Sequence, residues 1–124
     1  MTLSFDTSTL IELERKNPKI IEKIKELSLS HPFPAILPFI SYYEFIRGLK
    51  MRKNKDYEKR MAFADRFNIL KTSKKTAEIL ADLRIKYESK GITLSLADLF
   101  IASQVIENQL TLVTLDKDFE KIEE

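Results

Sequence analysis

The chain has 124 residues, 44% of them hydrophobic and 32% charged, with two glycines and four prolines. That is the composition of one soluble globular domain, and it excludes linker-rich, collagenous and disordered classes. Cysteine is absent and histidine occurs once, as His31, so disulfides, thiolate zinc sites, cysteine nucleophiles and paired imidazoles all drop out.

Nineteen Asp and Glu remain available for chemistry. A metal held by carboxylates alone is a hard one, Mg²⁺ or Mn²⁺ rather than zinc or copper. The net charge of +2 is unevenly spread: Arg47 to Arg60 holds seven basic residues against two acidic ones, a local +5 that leaves −3 elsewhere. Met1 to Asp6 lacks a basic leader and meets a carboxylate at once, so no signal peptide is expected. No apolar run approaches membrane-spanning length. The expected location is the cytoplasm.

In chain order, Leu3-Ser4-Phe5 predicts a strand ended by Asp6. Leu10 and Leu13 start a helical stripe that breaks at Asn17-Pro18, with Pro18 suited to a first helical position. Ile20, Ile21, Ile24 and Leu27 continue it, and His31-Pro32-Phe33-Pro34 is a loop. Ala35-Ile36-Leu37 is a second strand, closed by Pro38. Ser41 opens a helix carrying Tyr42, Phe45, Ile46 and Leu49, and Asn54 opens another with Tyr57, Met61 and Ala64 inward. Phe67 to Leu70 is a short third strand. Ser73 caps a long helix with Ala77, Leu80, Ala81, Arg84 and Tyr87 on one face, ending near Gly91. Ser95 caps a helix apolar nearly all round, hence central and buried. Leu110 to Thr114 is the clearest strand, and Asp116 to Ile122 a last short helix.

Strands separated by helices imply a parallel sheet with helices on both faces, and such sheets bind ligands outside the carboxyl ends of their strands. Four carboxylates fall at that edge: Asp6 and Asp116 just past strands, Glu44 and Asp98 in the first turns of helices. Each has a simpler explanation. Ser41-Tyr42-Tyr43-Glu44 reads as a capping box, Ser95 to Asp98 as a shorter version of it, and Asp6 and Asp116 as helix caps. The joint placement is harder to explain by caps. Asp98 precedes the apolar Leu99-Phe100-Ile101-Ala102, Asp6 follows a buried strand, and converging like charges repel unless a cation sits among them.

The segments Phe5 to Ile11, Ser41 to Gly48, Leu96 to Ala102 and Leu112 to Phe119 resemble PIN domains, most closely the VapC-type ribonuclease toxins of toxin–antitoxin pairs. The resemblance runs in order over essentially the whole chain. It implies a single domain, 1–124, with a three-layer α/β/α fold and a central parallel sheet of four or five strands. It also implies a Mg²⁺-dependent endoribonuclease, Mn²⁺ substituting, in which Asp6, Glu44, Asp98 and Asp116 bind metal and carry catalysis. Asp6 and Asp98 are the expected principal ligands, and Asp118 is a substitute or supporting ligand. Gly91-Ile92 departs from relatives that carry a proline after the glycine. A VapB-type antitoxin, a homodimer and a tRNA or rRNA substrate are further implications, with the exposed faces of Tyr42 to Leu49 and Tyr57 to Met61 as the antitoxin's groove.

Metal-activated water attacking a phosphodiester leaves a 5′-phosphate and a 3′-hydroxyl. Arg47, Lys50, Arg52, Lys53 and Lys55 are candidates to track an RNA backbone; a solvated helix pair is the alternative. Thr7 and Thr114 flank the carboxylates as candidate supporting residues, and of Tyr42, Tyr43 and Phe45 two are expected in the core. His31 is expected to be a loop residue without catalytic work. An aspartyl-nucleophile phosphotransferase fits worse, because Ser8 stands where a second carboxylate is needed and no phosphate-cradling glycine loop exists. A catalytically silent PIN-like module that binds RNA or protein is the remaining alternative.

Overall fold

Strand β1 (Leu3–Phe5) is buried along its whole length in the computed structural model, which describes residues 2–52 and 55–122. Helices α1 (Thr7–Glu14) and α2 (Pro18–Ser28) follow, then β2 (Ile36–Leu37), α3 (Phe39–Met51), α4 (Tyr57–Asp65) and β3 (Asn68–Ile69). The chain continues through α5 (Lys74–Ser89), α6 (Leu96–Glu107) and β4 (Thr111–Val113) to a 3-10 turn, Lys117–Lys121. Lys53 and the expected helix start at Asn54 lie outside the described residues. No helix among the described residues is long and apolar enough to cross a membrane.

All strands are parallel, in the order β3-β2-β1-β4, with Ser4 opposite both Ile36 and Leu112. The chain builds outward from β1 to β3, then returns to lay β4 on the far side of β1. This reversal opens a crevice at the carboxyl ends of β1 and β4, the usual ligand position in such sheets.

Because side chains alternate along a strand, Leu3 and Phe5 share one face. With Leu37 and Val113 they pack against Leu10 of α1, Phe45 and Leu49 of α3 and Ala64 of α4. Helix α6 lies against the other face, where Leu112 meets Ala102, Val105 and Ile106 along one groove. A second cluster, Leu83, Tyr87, Leu94, Leu99 and Ala102, joins α5 to α6. The expected α/β/α layering is present, with a four-stranded sheet among the described residues.

Several local expectations need correction. Helix α3 starts at Phe39, not Ser41, and its cap position is Pro38, which offers no side-chain hydrogen bond. The missing cap comes from far along the chain: the Phe39 amide donates to Oε1 of Gln104 at 2.8 Å, and Nε2 of that fully buried glutamine donates to the Leu70 carbonyl at 3.5 Å. Ser41 is therefore buried inside the first turn, and the capping box expected at Ser41 to Glu44 does not form. Glu44 stands exposed in the second turn. Gln104→Leu is expected to lower stability by about 1–3 kcal/mol, because it leaves the buried Leu70 carbonyl and the part-buried Phe39 amide unpaired; chemical denaturation reads this directly.

The buried face of α5 is also rotated from the expected one. Thr76, Leu83 and Tyr87 are buried, whereas Ala77 and Ala81 are exposed, since larger apolar side chains decide which face turns inward. Helix α6 is not covered all round: Leu96 is 59% exposed. Strands β2, β3 and β4 are each shorter than expected, and the last helix is a 3-10 turn. His31 fastens its loop to the sheet, with Nδ1 2.8 Å from the Leu27 carbonyl and Nε2 3.2 Å from the Thr111 hydroxyl. Thr111 begins β4, so His31 sits at the amino edge of the sheet, away from the crevice.

Candidate active site

Asp6 leaves β1 in an extended conformation and caps α1, as its position after the strand allows. It is 3% exposed. Oδ1 accepts the Thr9 amide at 3.0 Å and the Ser8 hydroxyl at 2.9 Å, and Oδ2 accepts the Thr114 hydroxyl. A carboxylate offers about four acceptor positions. Three are taken by the protein's own donors, so one is left toward the cleft that Asp6 lines.

Thr114 also links the two strand ends. Its Oγ1 accepts the Asp116 amide at 3.0 Å while its hydroxyl proton goes to Asp6. Asp116 in turn caps the 3-10 turn, Oδ1 accepting the Asp118 amide at 2.9 Å. Asp98 sits in the first turn of α6, where its amide is held by Oγ of Ser95 at 3.0 Å. The cap readings of Asp6, Asp116 and Ser95 are thus realised, and they aim the carboxylates rather than compete with the site.

Asp98, Asp116 and Asp118 each offer an oxygen within 4.8 Å of the others. Asp98 is half-buried, and its pKa is raised above the ordinary aspartate value. Burial is the main cause; a Ser95 hydrogen bond opposes it, and the negative charges of Asp116, Asp118 and Glu44 add to it. Asp118 is 50% exposed and bonded to Lys121 at 3.1 Å. Glu44 reaches the cleft from α3 and accepts the Thr7 hydroxyl at 2.5 Å.

Asp6, Glu44, Asp98 and Asp116 line one cleft of about 330 Å³, together with Thr7 and Ser8. The tight trio is Asp98, Asp116 and Asp118: the first two line the cleft and Asp118 does not, while Asp6 and Glu44 line it but stand outside the trio. Ser8 is the residue that sequence reasoning missed; the signal was the hydroxyl run Thr7-Ser8-Thr9 directly after a strand-ending Asp. The donor set is all oxygen. Two ligands on opposite sides of Mg²⁺ stand about 4 Å apart, so this spacing suits a small hard cation.

The basic candidates divide. Arg47, Lys50, Arg52 and Lys55 are exposed, and Lys53 lies outside the described residues. Arg60, in the same basic segment, is committed to structure: Nε and a terminal nitrogen hold Glu14 at 2.7–3.0 Å, with the guanidinium 5.9 Å from the centre of the Phe45 ring. Phe45 is buried, Tyr42 donates to Asp65 at 3.0 Å, and Tyr43 is 47% exposed.

A family model described as PIN domain matches residues 4–124. The chain belongs to the PIN-domain family. Solved structures with this PIN fold include the VapBC2 complex of Rickettsia felis bound to promoter DNA, 26% identical, with a TM-score of 0.82 and coverage of 99% of this chain and 94% of that one. A toxin–antitoxin complex from Klebsiella pneumoniae is 27% identical, with a TM-score of 0.73 and coverage of 99% and 93%. The VapBC-1 complex of nontypeable Haemophilus influenzae is 25% identical, with a TM-score of 0.78 and coverage of 98% and 92%. Among curated proteins nothing matches the chain.

Proposed function

We propose that this PIN domain, the whole chain acting as one unit, is a Mg²⁺- or Mn²⁺-dependent endoribonuclease and the toxin of a toxin–antitoxin pair. The observation that carries the reading is the cleft lined by Asp6, Glu44, Asp98 and Asp116, with an Asp118 oxygen within 4.8 Å of oxygens of Asp98 and Asp116. Three carboxylates at that spacing repel one another without a cation; the pKa of Asp98 is raised mainly by burial, and the charges of Asp116, Asp118 and Glu44 add to it.

Asp98 and Asp116 would hold the metal, with Asp118 as a third ligand and Asp6 offering its one remaining acceptor position. A bound divalent ion supplies charge neutralisation for the phosphodiester and a lowered pKa for the attacking water. The protein's own groups do the positioning. Thr114 fixes Asp6 relative to Asp116, Ser95 fixes the turn that presents Asp98, and Thr7 turns Glu44 toward the cleft, where it orients water. Hydrolysis then leaves a 5′-phosphate and a 3′-hydroxyl.

Likeness to complexes of toxin with antitoxin supports a VapB-type antitoxin as partner in the cytoplasm, and a homodimer belongs to the same reading. A tRNA or rRNA is the substrate. The test is incubation of the purified, partner-free protein with a structured RNA pool in Mg²⁺ or Mn²⁺, and in EDTA. Cutting is expected only with metal. Cutting that persists in EDTA rejects the mechanism, and an inert protein that still binds RNA makes it a silent binding module.

A further inference from the structure

Gly48 lies inside α3, where a glycine is costly because it loses more backbone freedom on folding than alanine does. Nothing among the described residues requires it. Its φ is not positive, and a Cβ built there meets no atom within 4 Å. Among the described residues neither backbone conformation nor internal packing accounts for the residue, and the space beside it is open.

What surrounds it is a cleft of about 320 Å³ edged by Arg15, Arg47 and Arg52. This cleft is continuous with the acidic one, because Ile11 and Glu44 line both. Arg60 also lines it but is held by Glu14, and Arg15 makes only an exposed contact with Glu12 at 3.5 Å. Arg47 and Arg52 make no ion pair among the described residues. Of the apolar lining, Phe45 and Leu49 are 3% and 4% exposed and Met51 is 68% exposed, so the accessible surface is three guanidinium groups beside one methionine side chain. Planar guanidinium groups bind phosphate oxygens with two parallel hydrogen bonds.

We propose that this groove holds the phosphate backbone of the RNA strand beside the scissile bond, with Gly48 keeping its floor open and Arg15, Arg47 and Arg52 gripping the phosphates. The proposal deepens the nuclease reading and rests on RNA being the substrate. Glu44 stands where the groove meets the acidic cleft, so the strand passes from cationic rim to metal site without a gap.

The test is fluorescence anisotropy of a labelled single-stranded oligoribonucleotide in EDTA, over a range of KCl, with melting temperatures taken alongside. Gly48→Gln is expected to weaken binding at least tenfold without lowering the melting temperature. Gly48→Ala is expected to bind within about threefold of wild type and to melt higher. The Arg47→Gln/Arg52→Gln double variant is expected to flatten the salt dependence by about 1.4, from about 0.7 per phosphate contact on a single strand. Unchanged affinity and slope in Gly48→Gln and the double variant overturn the groove. So does a wild type that binds no RNA, or groove variants that keep RNA affinity but lose binding to a poly-glutamate peptide. Parallel cleavage in Mn²⁺ separates the two readings: cutting unaffected by the groove variants rejects the groove alone, and groove-dependent binding without cutting rejects the nuclease alone.

Discussion

Asp98→Asn is expected to abolish RNA cleavage while making the metal-free protein more stable. Loss of a metal ligand removes about 4 kcal/mol of transition-state stabilisation, roughly a thousandfold in rate. The stability change has the opposite sign. Asp98 is half-buried among Asp116, Asp118 and Glu44, so its charged form is disfavoured in the fold, although the first turn of a helix favours a negative charge by about 0.3–1 kcal/mol.

Because the folded-state pKa is raised, the unfolded chain ionises first as pH increases. The native state is unpenalised below the ordinary aspartate value of 3.8, loses stability as pH rises through the folded value, and stays penalised at neutrality. Asparagine carries no such penalty. In EDTA at pH 7 the variant should melt higher than wild type, and the two should converge below about pH 3.8. Saturating Mn²⁺ should reverse the order, since only the wild type gains from binding. A variant that melts lower than wild type in EDTA at pH 7 would contradict the penalty assigned to burial and charge crowding at Asp98.

Asp6→Ala is expected to be the most destabilising change in the site. It removes the cap on α1, worth about 1 kcal/mol, and orphans the Thr114 hydroxyl and the buried Thr9 amide. The Thr9 amide is the group the cap satisfies, so the cap at about 1 kcal/mol and the orphaned Thr114 hydroxyl at about 1–3 kcal/mol sum to about 2–4 kcal/mol and roughly a 10 °C fall in melting temperature. Asp6→Asn keeps an oxygen for Thr9 and Ser8 and should cost about 1 kcal/mol or less, yet it should also lose cleavage. Thermal denaturation of both variants, with cleavage alongside, separates the carboxylate's structural role from its chemical one. An alanine variant as stable as wild type would refute the hydrogen-bond network.

The parts of the fold that could be read from the chain were those with local causes. Leu3 to Phe5 and Thr111 to Val113 announce themselves as apolar runs, Asn17-Pro18 as a helix start, and Ser95 as a cap three residues before Asp98. What could not be read had distant causes. The start of α3 is set by Gln104, 65 positions away, and no local pattern competes with the misleading serine at position 41. Asp6 was legible as a buried carboxylate in need of partners, but its partner Thr114 lies 108 positions off. The acidic cleft was legible as a set because four strand or helix ends share one sheet edge. That Asp118 stands in the tight trio depends on the 3-10 turn, whose geometry Asp116 fixes by capping it.

The central claim is that these carboxylates serve a metal-activated water, and the ends of the RNA fragments test it most directly. Fragments cut in Mn²⁺ by the wild type, with Asp98→Asn as control, are to be mapped for their terminal groups. A 5′-phosphate and a 3′-hydroxyl, both absent with the variant, are the expected result. A 2′,3′-cyclic phosphate with a 5′-hydroxyl would mean that the ribose hydroxyl attacks, and it would contradict the account.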